Sequence, residues 1–327
     1  MTKNRKKNDV LPRSDLGRNG VRFAFFGTPE LATVVLDALE KAGYMPTLVV
    51  TTPDQKKGRG MKLTESPVKQ WANGRCVETI APETLDDATA KILRLRDCDL
   101  FIVIYYGKVL PKKILDIPAR GALNIHFSLL PRWRGTSPVR AAILNDDREI
   151  GTSIILLDEK IDHGPVIAQK KIVVPEWPPR ARELEALATR ESAQLLIKIL
   201  PNWVAGEIEA HEQNHDVATY CQKITKEDSL VKLSDDPYKT LLKIRAFDTS
   251  IGTHTFFERT GPNRAKGAIG RTTNETSSHG VLGKKIRVGI IDAHVENGLL
   301  VIDKVKPEGK KEMSYAEFLR SGTKPII

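Results

Sequence analysis

Asn124 and His126 stand two residues apart at the end of the short apolar run Gly121-Ala122-Leu123-Asn124-Ile125-His126. The two-residue period of a strand sends both polar heads to one face. A carboxamide N–H and an imidazole can both donate to a developing oxyanion, so the pair suits chemistry at a carbonyl carbon. A buried histidine held by a buried asparagine has the same pattern, and these two residues alone leave both readings open. A third group favours the chemical one. Asp162, in Ile161-Asp162-His163-Gly164, puts a carboxylate on a tight corner beyond the apolar run Ile154 to Leu157. Amide, imidazole and carboxylate can together hold an oxyanion, orient the ring and take protons from an amine, with neither a metal nor a covalent nucleophile.

The elements that position these groups follow from hydrophobic periodicity. Arg22 to Phe26 is a short apolar run stopped by Gly27-Thr28-Pro29, and Leu31, Val34, Val35, Ala38 and Leu39 then repeat at helical spacing up to Gly43. A strand is expected over 46–51, a loop from 52 to about 64, helices over 67–72 and 84–95, and a fully apolar strand at Leu100–Ile104. After His126 come Ser128-Leu129-Leu130-Pro131, the basic turn Arg132-Trp133-Arg134-Gly135, and a helix start at Thr136-Ser137-Pro138, where serine caps and proline takes the first helical position. Strands alternating with helices predict a Rossmann-like open α/β sheet that binds its ligand beyond the carboxyl ends of its strands, where Asn124, His126 and Asp162 are expected. The turn offers Gly27 alone and not G-x-G-x-x-G, so a nicotinamide or flavin role loses its main support.

A helix from about Arg180 closes this first domain, 21–206, near Gly206. Residues 207–228 are polar and aperiodic, the texture of a linker. Within them His211-Glu212-Gln213-Asn214-His215 formally matches H-E-x-x-H. The match is rejected, because a zinc site of that kind needs a rigid helix and a third ligand, and no apolar helical stripe surrounds it. From 229 to 327 a helix over 236–247 precedes short alternating runs at 253–257, 286–291 and 299–305, which predict a small β-barrel.

With 327 residues the chain can bury two cores. Lys plus Arg number 51 against 41 Asp plus Glu, a net charge of +10 that fits a polyanionic partner. The loop Lys56, Lys57, Gly58, Arg59, Gly60, Lys62 is the candidate contact, and a solvated charged loop is the plain alternative. Cys76, Cys98 and Cys221 have no metal-like spacing and fit a reducing compartment. Residues 1–20 carry Lys3, Arg5, Lys6 and Lys7 without an apolar core of the secretory kind, so a disordered basic tail and a cytoplasmic protein are expected. No run of 18 apolar residues occurs.

The Asn-x-His pair, the string Ser-Leu-Leu-Pro-Arg-Trp-Arg-Gly and the Asp-His-Gly-Pro corner resemble the folate-dependent formyltransferases, and the resemblance runs through nearly the whole chain from Val21. It implies transfer of the formyl group of 10-formyltetrahydrofolate, as co-substrate and without a metal, to the α-amino group of initiator methionyl-tRNA for translation initiation. It implies Asn124, His126 and Asp162 as the catalytic residues and Ser128, Leu129, Leu130 and Pro131 as the loop that holds folate. The Gly-Arg-Gly loop with Lys56, Lys57, Arg59 and Lys62 matches one that enters the tRNA acceptor arm, and Lys-Leu-x-x-Ser-Pro-Val-Lys follows it at Lys62 to Lys69. The ending Lys-Val-Lys-Pro-Glu-Gly-Lys-Lys resembles a tRNA-contacting barrel of oligonucleotide-binding type, with Lys304, Lys306, Lys310 and Lys311 as its cations. Ala246 to Phe256 departs from the proline- and tryptophan-bearing version usual there, which leaves that local contact open. A monomer without a protein partner is expected. The competing readings are a formyltransferase acting on a purine-precursor ribotide or a nucleotide-linked amino sugar, and an RNA-binding protein that kept the fold without the chemistry.

If Arg59 docks the nucleic acid, Arg59→Ala raises the KM for charged tRNA and leaves the Kd for folate unchanged. A variant with wild-type KM and kcat for tRNA would make the loop merely solvated.

Overall fold

The structure is a computed structural model that describes residues 20–58, 60–248, 252–259 and 285–325. The basic tail, Arg59 and part of the 246–256 segment lie outside them. The chain divides into two compact units, one of residues up to Ala142 with 148–177 and 183–223, the other of 143–147, 178–182 and the chain from Ile224.

The first unit begins with β1 (Phe23–Gly27), α1 (Glu30–Lys41) and β2 (Leu48–Val50). Ala32, Val35, Leu36 and Leu39 form the buried stripe of α1, and Gly43 ends it at φ 85°. The expected loop over 52–64 is instead a hairpin of β3 (Gln55–Lys57) and β4 (Lys62–Thr64), with Lys57 opposite Lys62. Its glycines and charges hid two strands of three residues. Lys69 bonds Asp54 before the hairpin at 2.8 Å and Glu65 after it at 3.2 Å, and so ties its two feet together. Lys69 belongs to α2 (Pro67–Asn73), which Ser66 caps by accepting the Lys69 N–H at 3.0 Å.

β5 (Thr79–Ile80), α3 (Asp87–Leu95), β6 (Leu100–Ile104), α4 (Lys112–Leu115) and β7 (Ala122–His126) continue the alternation. Next come β8 (Arg134–Gly135), α5 (Pro138–Leu144), β9 (Gly151–Leu156), β10 (Val166–Lys171), α6 (Ala181–Ala205) and β11 (Tyr220–Cys221). The main sheet has seven strands in the order β10-β9-β7-β6-β1-β2-β5. Every residue of β1 and β6 is buried, as expected of central parallel strands covered on both faces. Phe26 meets Phe101 with ring centroids 5.1 Å apart, and burying one such ring contributes about 1.5–3 kcal/mol.

Two sequence expectations change here. β9 runs antiparallel to β7, with His126 opposite Ser153, so the carboxyl end of β9 lies beside the start of β7. Asp162 therefore reaches Asn124 through the 157–165 loop and not from a parallel strand end. Residues 207–223, read as linker, are built into the first unit. His211 bridges Val166, Gln213 is buried, and β11 pairs in parallel with β8. Gln213 serves the buried Arg134 while most of its neighbours are exposed, and neither role leaves an apolar period.

The second unit holds α7 (Pro237–Ala246), β12 (Thr253–Arg259), β13 (Lys285–Glu296), β14 (Leu299–Pro307), β15 (Met313–Ser314), α8 (Tyr315–Leu319) and β16 (Thr323–Pro325). Its sheet is antiparallel in the order β15-β14-β13-β12-β16, with β15 and β16 at the edges among the described residues. Phe257 and Phe318 meet edge to face at 5.0 Å in its core.

A Cβ on Gly164 would lie 1.9 Å from the Leu156 carbonyl oxygen. Gly164→Ala must push the Asp162 loop away, at a cost of roughly 2 kcal/mol. Thermal unfolding followed by circular dichroism should show a fall in Tm, together with a loss of activity beyond the loss of folded protein.

Candidate active site

β7 presents Asn124 and His126 on one side of the sheet, as the alternation predicts. His126 Nε2 lies 2.9 Å from the Trp133 carbonyl oxygen. A carbonyl only accepts, so Nε2 carries the proton in this bond and Nδ1 is left as the nitrogen at which a proton can come and go. Nδ1 lies 3.4 Å from Asp162 Oδ2. The Asn124 carboxamide donates to Asp162 Oδ1 at 3.4 Å, and the Gly135 N–H donates to Oδ2 at 2.8 Å. The three residues singled out in the sequence thus meet, although Asn124 and Asp162 are 38 positions apart in the chain. Asp162 holds φ 49° and Trp133 φ 58°, a left-handed backbone that turns the carboxylate and the accepting carbonyl toward His126.

Asn124, His126 and Asp162 edge a cavity of about 350 Å³, within the range of small-molecule sites. Its other walls include Val103, Leu157, Ile161 and the stretch Tyr105 to Leu110 beyond the carboxyl end of β6, with Asp158 and Lys160 also on its lining. That stretch is absent from the sequence-derived set. The available signal was a Tyr-Tyr-Gly directly after a fully apolar strand, at the end where open α/β sheets take their ligands. Tyr106 is 2% exposed and packs edge to face on Phe26 at 5.3 Å. Its hydroxyl has no hydrogen-bond partner among the described residues. Burial pushes this phenol up to about 12, so at neutral pH it is a donor looking for an acceptor.

Ser128, Leu129, Leu130 and Pro131 are not on this cavity. The Ser128 hydroxyl donates to the Arg132 carbonyl at 2.6 Å, and the Leu130 N–H donates to Ser153 Oγ at 3.1 Å. The Leu130 carbonyl accepts from Gln169 at 2.8 Å. This segment fastens the turn after β7 to β9 and β10, and so sets where the Trp133 carbonyl and the Gly135 N–H stand.

The expected cations fall in two places, one in each unit. Lys56 and Lys62 are exposed on the β3–β4 hairpin, with Lys57 opposite Lys62. Met61 and Leu63 beside them are also exposed. Lys304 and Lys306 on β14 share Glu312, at 3.2 and 3.7 Å. The hydrogen bond and charge of Lys304 hold the Glu312 carboxyl below its ordinary range. Lys310 and Lys311 are exposed in the turn that follows, and exposed Lys285 and Arg287 on β13 add to this group.

A carboxamide, a ring nitrogen and a carboxylate converging on an apolar cavity define an enzyme of group transfer at a carbonyl. The chain belongs to the formyl transferase family: residues 21–200 match its formyl transferase domain and residues 223–322 its C-terminal domain. The methionyl-tRNA formyltransferase of Dictyoglomus thermophilum is 34% identical over 307 residues, which span 91% of this chain and 96% of that protein. Two solved structures share the fold. An N-formyltransferase from Helicobacter canadensis in complex with folinic acid and dTDP-3-aminofucose superposes with a TM-score of 0.58 at 18% identity, over 88% of this chain and 100% of its own. A methionyl-tRNA formyltransferase from Clostridium thermocellum gives 0.54 at 16% identity, over 88% and 98%.

If the three side chains work as one unit, Asn124→Ala, His126→Ala and Asp162→Ala each lower kcat for formyl transfer by about 100-fold or more. Steady-state kinetics on variants with wild-type circular dichroism would check this, and full activity in His126→Ala would remove the ring from the assignment.

Proposed function

We propose that this protein transfers the formyl group of 10-formyltetrahydrofolate to the α-amino group of initiator methionyl-tRNA, for translation initiation. The observation that carries this reading is the meeting of Asn124, His126 and Asp162 at the edge of an apolar cavity. It stands beside a likeness to methionyl-tRNA formyltransferases over 91% of the chain. The cavity fits the co-substrate, because its largely apolar walls suit a flat aromatic ring system.

In the reaction the amine nitrogen attacks the formyl carbon, the N–C bond forms, and the carbonyl oxygen takes on negative charge. Asn124 Nδ2 carries two hydrogens. One points at Asp162, and the other is available to the oxyanion, where a donor is worth about two orders of magnitude in rate. Asp162 and His126 Nδ1 take up the proton that the amine loses. Collapse of the tetrahedral centre breaks the bond from carbon to the folate nitrogen, which leaves with a proton returned from the same pair. A free α-amino group has a pKa of about 7.7 to 8.0, so roughly a tenth is neutral at pH 7 and deprotonating it costs only about 1 to 1.4 kcal/mol. Oxyanion stabilisation carries more of the rate than proton removal.

Lys56, Lys57, Arg59 and Lys62 in the first unit, and Lys304, Lys306, Lys310 and Lys311 in the second, supply phosphate contacts that carry no base information. The net charge of +10 supports a polyanionic acceptor. No helix among the described residues is long and apolar enough to cross a membrane. The enzyme works as a monomer in the cytoplasm.

Labelled formyl supplied as 10-formyltetrahydrofolate should appear on charged initiator methionyl-tRNA and not on free methionine, a ribotide amine or a nucleotide-linked amino sugar. Transfer to one of the latter amines with the tRNA left unlabelled would assign the chain to another member of its family.

A further inference from the structure

Arg134 is 1% exposed, the largest fully buried side chain described. It has no carboxylate partner among the described residues, and a lone buried guanidinium is costly unless its hydrogens are matched. Its partners are neutral. Nε and one terminal nitrogen donate to Gln213 Oε1 at 3.1 and 2.7 Å. The same terminal nitrogen reaches His215 Nδ1 at 2.8 Å, and the other reaches the Tyr220 hydroxyl at 3.3 Å.

Gln213 spends its other half on the loop of Asp162. Its amide nitrogen donates to the Asp162 carbonyl at 2.9 Å and to the Gly164 carbonyl at 2.7 Å. Both amide hydrogens and both lone pairs of the oxygen are thus used, and only one orientation of the side chain satisfies them. One carboxamide fixes both ends of the 162–164 turn, whose first residue, Asp162, holds φ 49°, a conformation uncommon outside glycine. The carboxylate is braced from the same stretch of chain. Gly135, whose N–H meets Asp162 Oδ2, lies on β8, and β8 is held by β11 so closely that a Cβ on Gly135 would meet the Cys221 carbonyl oxygen at 2.2 Å.

We propose that Gln213 is a positioning residue for formyl transfer, holding the 162–164 turn against the buried Arg134 so that the Asp162 carboxylate stays in register with Asn124 and His126. The inference rests on the assignment of Asp162 to the reaction.

Gln213→Glu separates this role from simple support of Arg134. A glutamate keeps the acceptor for the guanidinium and adds a charge partner, but it loses both donors and turns an oxygen toward two carbonyls. Measured on the full chain, Gln213→Glu should lower kcat at least about tenfold, with the KM for each substrate within about twofold and Tm not below wild type by more than a few degrees. A residue that only satisfies Arg134 would leave kcat unchanged in this variant. The decisive measurement is a cycle with Asp162→Ala. If Gln213 acts through Asp162, Gln213→Glu costs little further kcat in the Asp162→Ala background, and independent, multiplying losses overturn the proposal. Wild-type activity in Asp162→Ala alone would instead overturn the assignment of Asp162, a different result from the same set of proteins. Should Gln213→Glu not fold, Gln213→Asn, which keeps the amide on a shorter side chain, takes its place in the cycle under the same criteria.

Discussion

The hydrogen bond from the Gly135 N–H to the Asp162 carboxylate, 2.8 Å long, is the contact on which the site turns. It joins the turn after β7 to the loop after β9, and each partner is in place only because other parts of the fold put it there. Gly135 is delivered by the Ser128–Pro131 segment, anchored through Ser153 and Gln169. Asp162 is delivered by the antiparallel return of β9, which carries the chain away from the cavity so that a loop must bring it back. Asn124 and His126 sit between the two and inherit their geometry.

The parts of this arrangement legible in the sequence were those with a period. Alternation gave Asn124 and His126 a common face, and an unbroken apolar run gave β6 its buried central place. What lacked a period was misread or missed. Residues 207–223 looked like a tether because their side chains are polar, yet Gln213 is buried and fully bonded. The hairpin at Gln55–Thr64 looked like a loop because its strands are short and its exposed faces charged. Tyr105 to Leu110 matched no motif, although their position beyond β6 was predicted to hold the ligand.

The Ser-Leu-Leu-Pro string has a structural part beside the folate contact expected of it. It is distinctive, and a distinctive string near catalytic residues invites a ligand-binding role. In the structure its hydroxyl, amide and carbonyl groups are spent inside the protein, on Arg132, Ser153 and Gln169. The cavity takes walls from side chains such as Val109 and Ile161, which are apolar and exposed.

The neutral cage around Arg134 bears on where this polypeptide can be cut. All three groups that receive its hydrogens, Gln213, His215 and Tyr220, lie beyond α6, in the stretch whose composition reads as a linker. A fragment ending at Gly206 would lose every partner of the Arg134 guanidinium and, with Gln213, the two bonds that hold the 162–164 turn. A fragment that retains residues through Lys223 keeps the cage intact, so the autonomous catalytic piece is longer than the run of strands and helices that first suggests it.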